Sequence, residues 1–292
     1  MTIPLVRWFQ RGVRGKRLTP AWEYPVRGVI WRLLPTVRGQ FVGEERNAPE
    51  KTVSFFCIRQ DNGQVLWSGV RLPEPWWIGI EAVHEGVALL HEFAVPDFPD
   101  HKKIHALDLS TGTLLWSDQD AKFLFADGGS IYALSGPDDG RYIAIDIRSG
   151  ARTRELEAEE VRNLRRHAHS HTPEPVEFPA PFDYRGEGES PLRARIDGLL
   201  RDTRRLRFIE YIEKKGILAL GYYTSVSDDL PDPPMDHHFI IADAGSETLY
   251  RDLLNERTSA AVPDTFFAIG DMLFTIAGKK VLKAFDLSRT DG

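Results

Sequence analysis

The chain has 292 residues and a formal net charge of −6, and 42% of its residues are hydrophobic while 27% are charged, as in an ordinary globular protein. No run of about 18 apolar residues occurs, which excludes a membrane-spanning helix, and the single cysteine, Cys57, excludes an intrachain disulfide. Residues beyond 38 carry 29 basic and 42 acidic side chains, and this acidic balance argues against nucleic-acid binding.

Residues 1–20 form a basic arm at the start of the chain. Residues 1–38 contain eight Arg and Lys side chains and one acid, Glu23. On a helical wheel the arm places apolar residues on one side and arginines on the other, which is typical of a helix that touches anionic lipid or a partner. The alternative is a frayed or packed tail. The arm lacks the apolar core of a secretory signal, so we expect a cytoplasmic location.

A four-strand unit repeats along the chain. Residues 80–93 (IEAVHEGVALLHEF) and 209–223 (IEYIEKKGILALGYY) share an Ile-Glu pair, a glycine turn and a closing aromatic residue. Both segments continue through a loop rich in Pro and Asp into an alternating strand that ends in Asp, and a short strand follows each. Four short strands joined by turns are a meander, the unit that repeats in a β-propeller.

Three other segments follow the same plan. Residues 33–67 and 122–156 each predict four strands, and residues 264–288 predict three. Residues 27–35 (RGVIWRLLP) resemble the outer strand GQVLWSGVRLP of the first blade and are the candidate for the missing strand. The predicted fold class is therefore all-β: a small propeller of four-stranded blades within residues 21–292, with five blades favoured, closed by the N-terminal strand.

Residues 157–205 do not follow this plan. Near their end, Ser190 is a candidate N-cap, Pro191 suits the first helical position, and the apolar residues that follow lie on one helical face. Residues 165–190 are rich in Pro and charge, which is typical of an irregular loop. We therefore expect a loop and a helix inserted into the propeller, and the alternative is a degenerate sixth blade.

A tryptophan-containing motif recurs at the end of several predicted blades. The best copy is residues 106–116 (ALDLSTGTLLW), with Asp108, Gly112 and Trp116, and weaker copies lie in the neighbouring blades. The glycine allows a tight turn, and the aspartate accepts hydrogen bonds from turn amides. The tryptophan packs between neighbouring blades and can donate its indole N–H.

On these motifs the chain resembles the quinoprotein-like β-propeller superfamily over residues 27–156 and 206–288. It looks most like an uncharacterised bacterial family of propeller-like proteins with no assigned activity. The resemblance implies the fold. Quinoprotein alcohol dehydrogenases have eight blades, a vicinal disulfide and a signal peptide, whereas this chain is short and has one cysteine. We therefore expect no quinone and assign no other cofactor.

Two long loops, PDFPDH and PDPPMDHH, share an Asp-His pair at equivalent positions of the repeat. The pairs are Asp100 with His101 and Asp236 with His237. Asp and His together suit the binding of a cation or a polar ligand. The alternative is that proline and aspartate are turn residues and that the histidines are exposed. No metal is assigned to these loops.

Glu81 and Glu210 occupy the same position of the repeat, beside the glycine turn of an inner strand. Two carboxylates that face one channel can act as acid and base in glycoside cleavage. Acids beside turns are also commonly solvated, and this alternative stays open.

Aromatic and histidine-rich stretches give two further candidates. Trp76 and Trp77 lie at the start of an inner strand. Aromatic side chains in this position are suited to stacking on a sugar ring or to binding a partner, and the alternative is that they pack one blade on another. Residues 167–171 (HAHSH) place three histidines at alternate positions, which share one face in a strand and can chelate, or lie exposed in a loop.

The sequence contains no phosphate-binding loop, no dinucleotide fingerprint, no nucleophile elbow and no cysteine pair for zinc. We therefore interpret the protein as a non-enzymatic binding or scaffolding propeller with a protein partner or a small polar ligand. The alternative is a hydrolase or lyase that acts on a carbohydrate or another polar small molecule at the mouth of the channel.

Overall fold

The structure is a computed structural model that describes residues 17–94, 100–136, 140–168, 175–183, 186, 188–227, 229–230 and 232–290. Nearly all of the basic arm, most of the PDFPDH loop and two of the HAHSH histidines lie outside the described residues. The chain packs as two compact units. The larger unit comprises Pro20–Phe178 and Pro263–Asp286, and the smaller comprises Pro179–Val262 with residues 17–19 and 287–290.

The described residues of the larger unit form four antiparallel sheets of four strands each. The first sheet has the order β1-β21-β20-β19, and the other three follow chain order as β2–β5, β6–β9 and β10–β13. The strands are β1 (Trp22–Pro25), β2 (Val29–Pro35), β3 (Gln40–Asn47), β4 (Thr52–Arg59), β5 (Val65–Val70), β6 (Ile78–His84), β7 (Val87–Phe93), β8 (His101–Asp108), β9 (Leu114–Asp118), β10 (Ala121–Asp127), β11 (Ser130–Ser135), β12 (Arg141–Asp146), β13 (Arg152–Leu156), β19 (Phe266–Ile269), β20 (Met272–Ala277) and β21 (Val281–Asp286).

The strand groups of this unit match the groups predicted from the repeat, with one correction. Residues 27–35 do not complete the last sheet, because β2 lies within them and opens the next one. The strand that pairs with β21 is β1, in which Trp22 lies opposite Ala284. The sequence comparison aligned Trp31 with Trp67, but Trp31 is 64% exposed whereas Trp22 is buried. The buried tryptophan therefore marks the true outer strand.

Three tryptophans join neighbouring sheets of the larger unit. Each donates its indole N–H to a backbone carbonyl at 2.8–3.0 Å and covers a turn glycine of the next sheet. The contacts are Trp22 with Gln60 O and Gly63, Trp67 with Leu109 O and Gly112, and Trp116 with Ile147 O and Gly150. The packing role predicted for the motif is confirmed for Trp67 and Trp116, and Trp22 provides a third copy.

The core of the larger unit lies between facing sheets. One apolar cluster joins Val42 and Cys57 of the β2–β5 sheet to Ile80 and Leu90 of the β6–β9 sheet. Alternate residues of each strand supply these side chains, as expected for sheets that are packed on both faces. Cys57 is fully buried, as predicted, and burial raises the pKa of its thiol to about 12.

The sequence analysis missed helix α1 (Ala158–His167), whose last three residues lie in the segment predicted to be an irregular loop. The helix packs Val161 against Tyr132 and Leu156. Acidic residues lie in its first turn and basic residues in its last, an arrangement that complements the helix dipole. Its apolar face consists of Val161 and Leu164 among mostly charged residues, so in the sequence the segment resembles the charge-rich loop that follows it.

The described residues of the smaller unit form one sheet with the order β14-β15-β16-β17-β18. Its elements are β14 (Ala180–Pro181), α2 (Pro191–Leu199), β15 (Leu206–Lys214), β16 (Ile217–Ser225), β17 (Met235–Ala242), β18 (Thr248–Thr258) and a 3-10 helix (Leu287–Thr290). The predicted helix is confirmed, because the Ser190 side chain accepts a hydrogen bond from the Arg193 amide and Pro191 opens α2. The buried Ile196 anchors α2 on the sheet.

The inserted segment also contributes to this sheet. Strand β14 pairs with β15, so part of the predicted irregular loop is a short edge strand. Within the described part of residues 157–205 there is no separate four-stranded sheet. Neither α1 nor α2 is long and apolar enough to cross a membrane, and the described chain contains no other helix that is.

Candidate ligand-binding site

Three side chains from neighbouring strands of the β6–β9 sheet converge at one point. Glu81 lies at a bulge in the pairing of β6 with β7, and His91 lies at a second bulge in the pairing of β7 with β8. His101 is the first residue of β8. A β-bulge re-aims the side chain of the extra residue. Glu81 is the extra residue of the first bulge, which turns its side chain toward the two histidines. His91 alternates with Phe93, which pairs with His101, so the strand period places both histidines on one face.

The two imidazoles share one carboxylate oxygen. Nδ1 of His91 lies 2.7 Å from Oε2 of Glu81, and Nδ1 of His101 lies 2.8 Å from the same oxygen. The rings stack with their centroids 3.5 Å apart and their planes at 7°. The exposed fractions of the side chains are 3% for His91, 19% for Glu81 and 31% for His101. The cluster is thus closed to solvent at His91 and open to solvent at His101.

His91 is buried without satisfying its polar atoms. Among the described residues neither ring nitrogen has a hydrogen-bond partner, because the contact with Glu81 is close but does not have hydrogen-bond geometry. A Cβ added to Gly79 would lie 3.4 Å from Nε2, so the ring packs on the bare backbone of β6. Leaving a buried polar group unsatisfied costs about 1–3 kcal/mol. A ligand that engages Nδ1 would offset this cost.

The charge state of the cluster follows from its contacts. Burial raises the pKa of Glu81, but the neighbouring imidazoles of His91 and His101 together lower it by more, so the pKa of Glu81 lies below its ordinary value. Burial and the adjacent His91 ring hold the pKa of His101 below its ordinary value, and Glu81 offsets this only in part. At neutral pH the cluster therefore presents a carboxylate beside a neutral His101, which suits a cation or a hydrogen-bond donor.

Aromatic side chains line one side of the cluster. Phe93 meets both histidine rings edge-on, with centroids at 5.1 and 5.4 Å. Trp77 packs edge-on against Phe93 at 6.1 Å, and Trp76 against Trp77 at 6.4 Å. Trp76 and Trp77, candidates in the sequence for stacking, partner binding or packing, thus lie beside this cluster, and Trp76 also packs against the core between two sheets.

A buried ion pair lies against the same stretch of β6. Oε1 of Glu44 lies 2.6 Å from Nε of Arg46, and Oε2 accepts the Ile80 amide at 3.0 Å. Arg46 also donates to two backbone carbonyls in the segment that leads into β6. A Cβ on Gly79 would lie 3.1 Å from Oε2 of Glu44. Glu44 and His91 thus both pack against Gly79. They can do so because glycine has no side chain.

The aspartates of the two Asp-His pairs are engaged elsewhere. Asp100 forms an ion pair with Lys122. Oδ1 of Asp236 accepts the backbone amide of Arg257 at 2.9 Å. In the larger unit it is therefore the histidine of the pair, and not the aspartate, that joins the cluster.

The smaller unit contains a related but closed arrangement. Nε2 of His237 lies 3.5 Å from Oε1 of Glu210, and the ring stacks on Tyr223 at 4.0 Å and 14°. His237 is fully buried, and among the described residues neither of its ring nitrogens has a hydrogen-bond partner. Burial, together with the neighbouring His238, lowers the pKa of His237 to about 3. This histidine is neutral and enclosed, so the open cluster at His101 is the better candidate site.

The remaining candidates from the sequence do not join this cluster in the described residues. Glu81 and Glu210 belong to different units, and their use as an acid–base pair stays a prediction. His167 of the HAHSH stretch is an exposed residue of α1 whose Nδ1 lies 2.7 Å from the Asn163 carbonyl oxygen. The other two histidines of that stretch lie outside the described residues.

Sequence reasoning predicted Glu81 and His101 from the repeat and missed His91. One signal was available, because His91 ends the apolar run VALL, where a polar residue is unexpected. The strand period places His91 on the same face as Phe93 and His101, and a bulge at Glu81 brings the carboxylate to both histidines. A bulge of this kind has no clear sequence signature.

One protein family matches part of the chain. It is described as a domain of unknown function, DUF4905, and it matches residues 36–116. This range contains β3 to β8, the first part of β9 and all three residues of the cluster. No curated protein matches the chain in sequence.

Solved structures give only distant likenesses. BamB from Moraxella catarrhalis is 12% identical with a TM-score of 0.34, and the match covers 93% of this chain and 87% of that one. A chain of the mitotic checkpoint complex is 10% identical with a TM-score of 0.37, covering 98% and 97%. The β-propeller domain of the Trilobed protease from Pyrococcus furiosus is 12% identical with a TM-score of 0.30, covering 90% and 73%. At these values the likenesses carry no weight for function.

Proposed function

We propose that the sheets of both units are blades of one β-propeller, with five blades and with closure by the N-terminal strand. Support comes from the repeated antiparallel meanders, from the pairing of β1 with β21, and from the three tryptophans that dock on the next sheet. We further propose a cytoplasmic location, for which the single buried cysteine is the supporting feature.

We infer that this propeller is a non-enzymatic binding module whose site is the cluster of Glu81, His91 and His101. One observation supports this most directly: a partly buried carboxylate oxygen is contacted by two stacked imidazoles, one of them buried and unsatisfied and the other open to solvent. Such a group is held by sheets that pack through a continuous core, which gives it the fixed geometry that a binding site needs.

The chemistry of the cluster restricts the ligand. Glu81 offers a negative charge, His101 offers a neutral imidazole, and Phe93 and Trp77 offer an apolar wall. A small polar ligand with an ammonium group or several hydroxyl groups meets these requirements. A protein partner that presents a lysine side chain would bring the same chemistry.

A binding screen in the presence of EDTA tests this function. Melting temperatures would be compared with and without polar probes, namely amines, amino sugars, neutral sugars and nucleotides. A probe at 100 times its Kd stabilises the folded state by about 2.7 kcal/mol. We expect the shift to disappear in His101→Ala and to persist in His167→Ala, which removes an exposed histidine from α1. A shift that is equal in both variants would place binding elsewhere.

A second candidate is a hydrolase or lyase that acts on a carbohydrate or another polar small molecule. The supporting observation is the 2.8 Å hydrogen bond between His101 and Glu81, an arrangement in which a carboxylate orients an imidazole for proton transfer. Substrate panels would be assayed with the wild type and with Glu81→Gln, which keeps the size of the side chain. An activity that Glu81→Gln abolishes supports this candidate, and an activity that is unchanged in the variant removes it.

A further inference from the structure

We propose that Glu81, His91 and His101 bind a divalent transition-metal ion of the zinc class. This inference names the ligand class of the binding site proposed above. One ligand atom from each of the three side chains lies within 4.8 Å of the other two. Two imidazole nitrogens and one carboxylate oxygen form a donor set that zinc takes in proteins.

Metal binding requires the three ligand atoms to move slightly apart. Ligand atoms around tetrahedral zinc are about 3.3 Å apart when each lies about 2.0–2.1 Å from the metal. Nδ1 of each histidine lies 2.7–2.8 Å from Oε2 of Glu81, so each pair has to separate by about half an ångström. His101 is the most exposed of the three side chains and can swing outward into solvent, and the partly exposed Glu81 side chain can move away from the buried His91.

The buried ring of His91 is an independent reason to expect an ion. Its side chain is 3% exposed, and among the described residues neither ring nitrogen has a hydrogen-bond partner. Nδ1 nevertheless lies 2.7 Å from the Glu81 oxygen that His101 also contacts. A metal ion between the three side chains would be bound by this nitrogen, and the Glu81 carboxylate would neutralise part of the charge of the ion.

The donor set distinguishes between metal classes. Calcium and magnesium prefer six or more oxygen ligands, which this cluster does not supply. Imidazole and carboxylate together suit Zn²⁺, Co²⁺, Ni²⁺ or Fe²⁺. Three protein ligands leave at least one position on the ion for water or for a polar ligand, and the open side at His101 is where that position would face.

The surroundings suit a bound cation. Binding through Nδ1 places the proton of His91 on Nε2, which lies 3.4 Å from the position that a Cβ on Gly79 would take. Phe93 closes the side of both rings and limits access from that direction.

Metal titration of the untagged full-length protein tests the proposal. After dialysis against EDTA and then metal-free buffer, Zn²⁺ alone would be titrated by calorimetry, and Co²⁺ by visible absorbance. We expect one ion per chain and a Co²⁺ spectrum with nitrogen ligands. His101→Ala and Glu81→Gln should each raise the Kd at least tenfold. Both changes lie at partly exposed positions, so the variants are expected to fold, and circular dichroism would verify this.

The matched control removes the other histidine-rich segment of the chain. The triple variant His167→Ala/His169→Ala/His171→Ala should bind the ion as the wild type does. Uptake of no ion by the wild type, or equal uptake by His101→Ala and the wild type, would overturn the metal site. Binding of an organic probe in EDTA without binding of Zn²⁺ would leave the binding function standing and reject the metal. Binding of Zn²⁺ without binding of any organic probe would support the metal site and reject the organic ligand.

Discussion

His101 and His237 occupy the same register position in their own sheets. His101 lies opposite Phe93, and His237 lies opposite Tyr223, the aromatic residue that closes the matching strand of the repeat. Each histidine also lies beside the glutamate that the repeat predicts. The two positions differ in burial, because His101 is open to solvent whereas His237 is enclosed. The same repeat position is thus open to solvent in one sheet and part of the core in the other.

The enclosed His237 should make stability depend on pH. Its pKa is lowered to about 3 in the folded state from 6.5, so between these values the unfolded chain binds a proton that the folded chain does not. Its contribution to the free energy of unfolding is therefore complete above pH 6.5. It decreases as the pH falls toward 3, by at most about 1.4 kcal/mol per pH unit.

The variant His237→Phe isolates this effect, because it keeps an aromatic ring on Tyr223 and removes nitrogens that have no hydrogen-bond partner in the described chain. Urea unfolding between pH 7 and 4 should give a stability difference between variant and wild type that grows in favour of the variant as the pH falls. The exposed His167→Phe serves as the control. Parallel pH profiles for His237→Phe and the wild type would contradict the prediction.

The docking of Trp67 should make Gly112 intolerant of any side chain. Gly112 has φ of +71°, and a Cβ there would lie 2.7 Å from the Trp67 ring. Gly39 has a nearly equal φ of +66°, but nothing lies within 4 Å of the position of its Cβ. We expect Gly112→Ala to cost about 2–4 kcal/mol and Gly39→Ala about 1 kcal/mol. Chemical denaturation of both variants measures the difference. Equal losses would mean that backbone strain alone accounts for the lower free energy of unfolding and that contact with Trp67 adds nothing.

The buried thiol of Cys57 should be inert in the folded protein. Burial raises its pKa to about 12, and the thiolate is the reactive form. A thiol reagent at pH 8 should label the native protein only at the rate at which the structure opens, and should label it at once in denaturant. Rapid stoichiometric labelling under native conditions would show that this part of the core is open.

The cap of α2 should contribute measurably to the smaller unit. Oγ of Ser190 accepts the Arg193 amide at 3.1 Å. We expect Ser190→Ala to lower the free energy of unfolding by about 1 kcal/mol and Ser190→Asp to retain most of it, because Asp also provides an acceptor. A loss that is equal in both variants would indicate that the contact does not act as a cap.

Much of the fold follows from the repeat in the sequence, because each predicted group of strands forms one sheet. The errors arose where two segments look alike but differ in burial. Trp22 and Trp31 both lie in short strands, and only packing against Gly63 identifies Trp22 as the docking residue. Helix α1 packs only Val161 and Leu164 and is otherwise mostly charged, so it was grouped with the charge-rich loop that follows it.

The candidate site was predictable in part. The repeat placed Glu81 and His101 at positions that recur along the chain. Trp76 and Trp77 were candidates only as aromatic residues at the start of an inner strand, and their place beside the cluster comes from the structure. Glu81 reaches the two histidines because it is the extra residue of a bulge in the pairing of β6 with β7. Single extra residues in a strand depend on tertiary packing, which a strand period does not record.

The pairing of β1 with β21 joins residues that are far apart in the chain, and this has a consequence for synthesis of the protein on the ribosome. Trp22 is translated before the strands of the other sheets of its unit, whereas its sheet partner Ala284 is translated after them. The docking partner of Trp22, the turn at Gly63, leaves the ribosome soon after it. The nascent chain can therefore hold its first strand on the second sheet until the strand that completes the pairing has been translated.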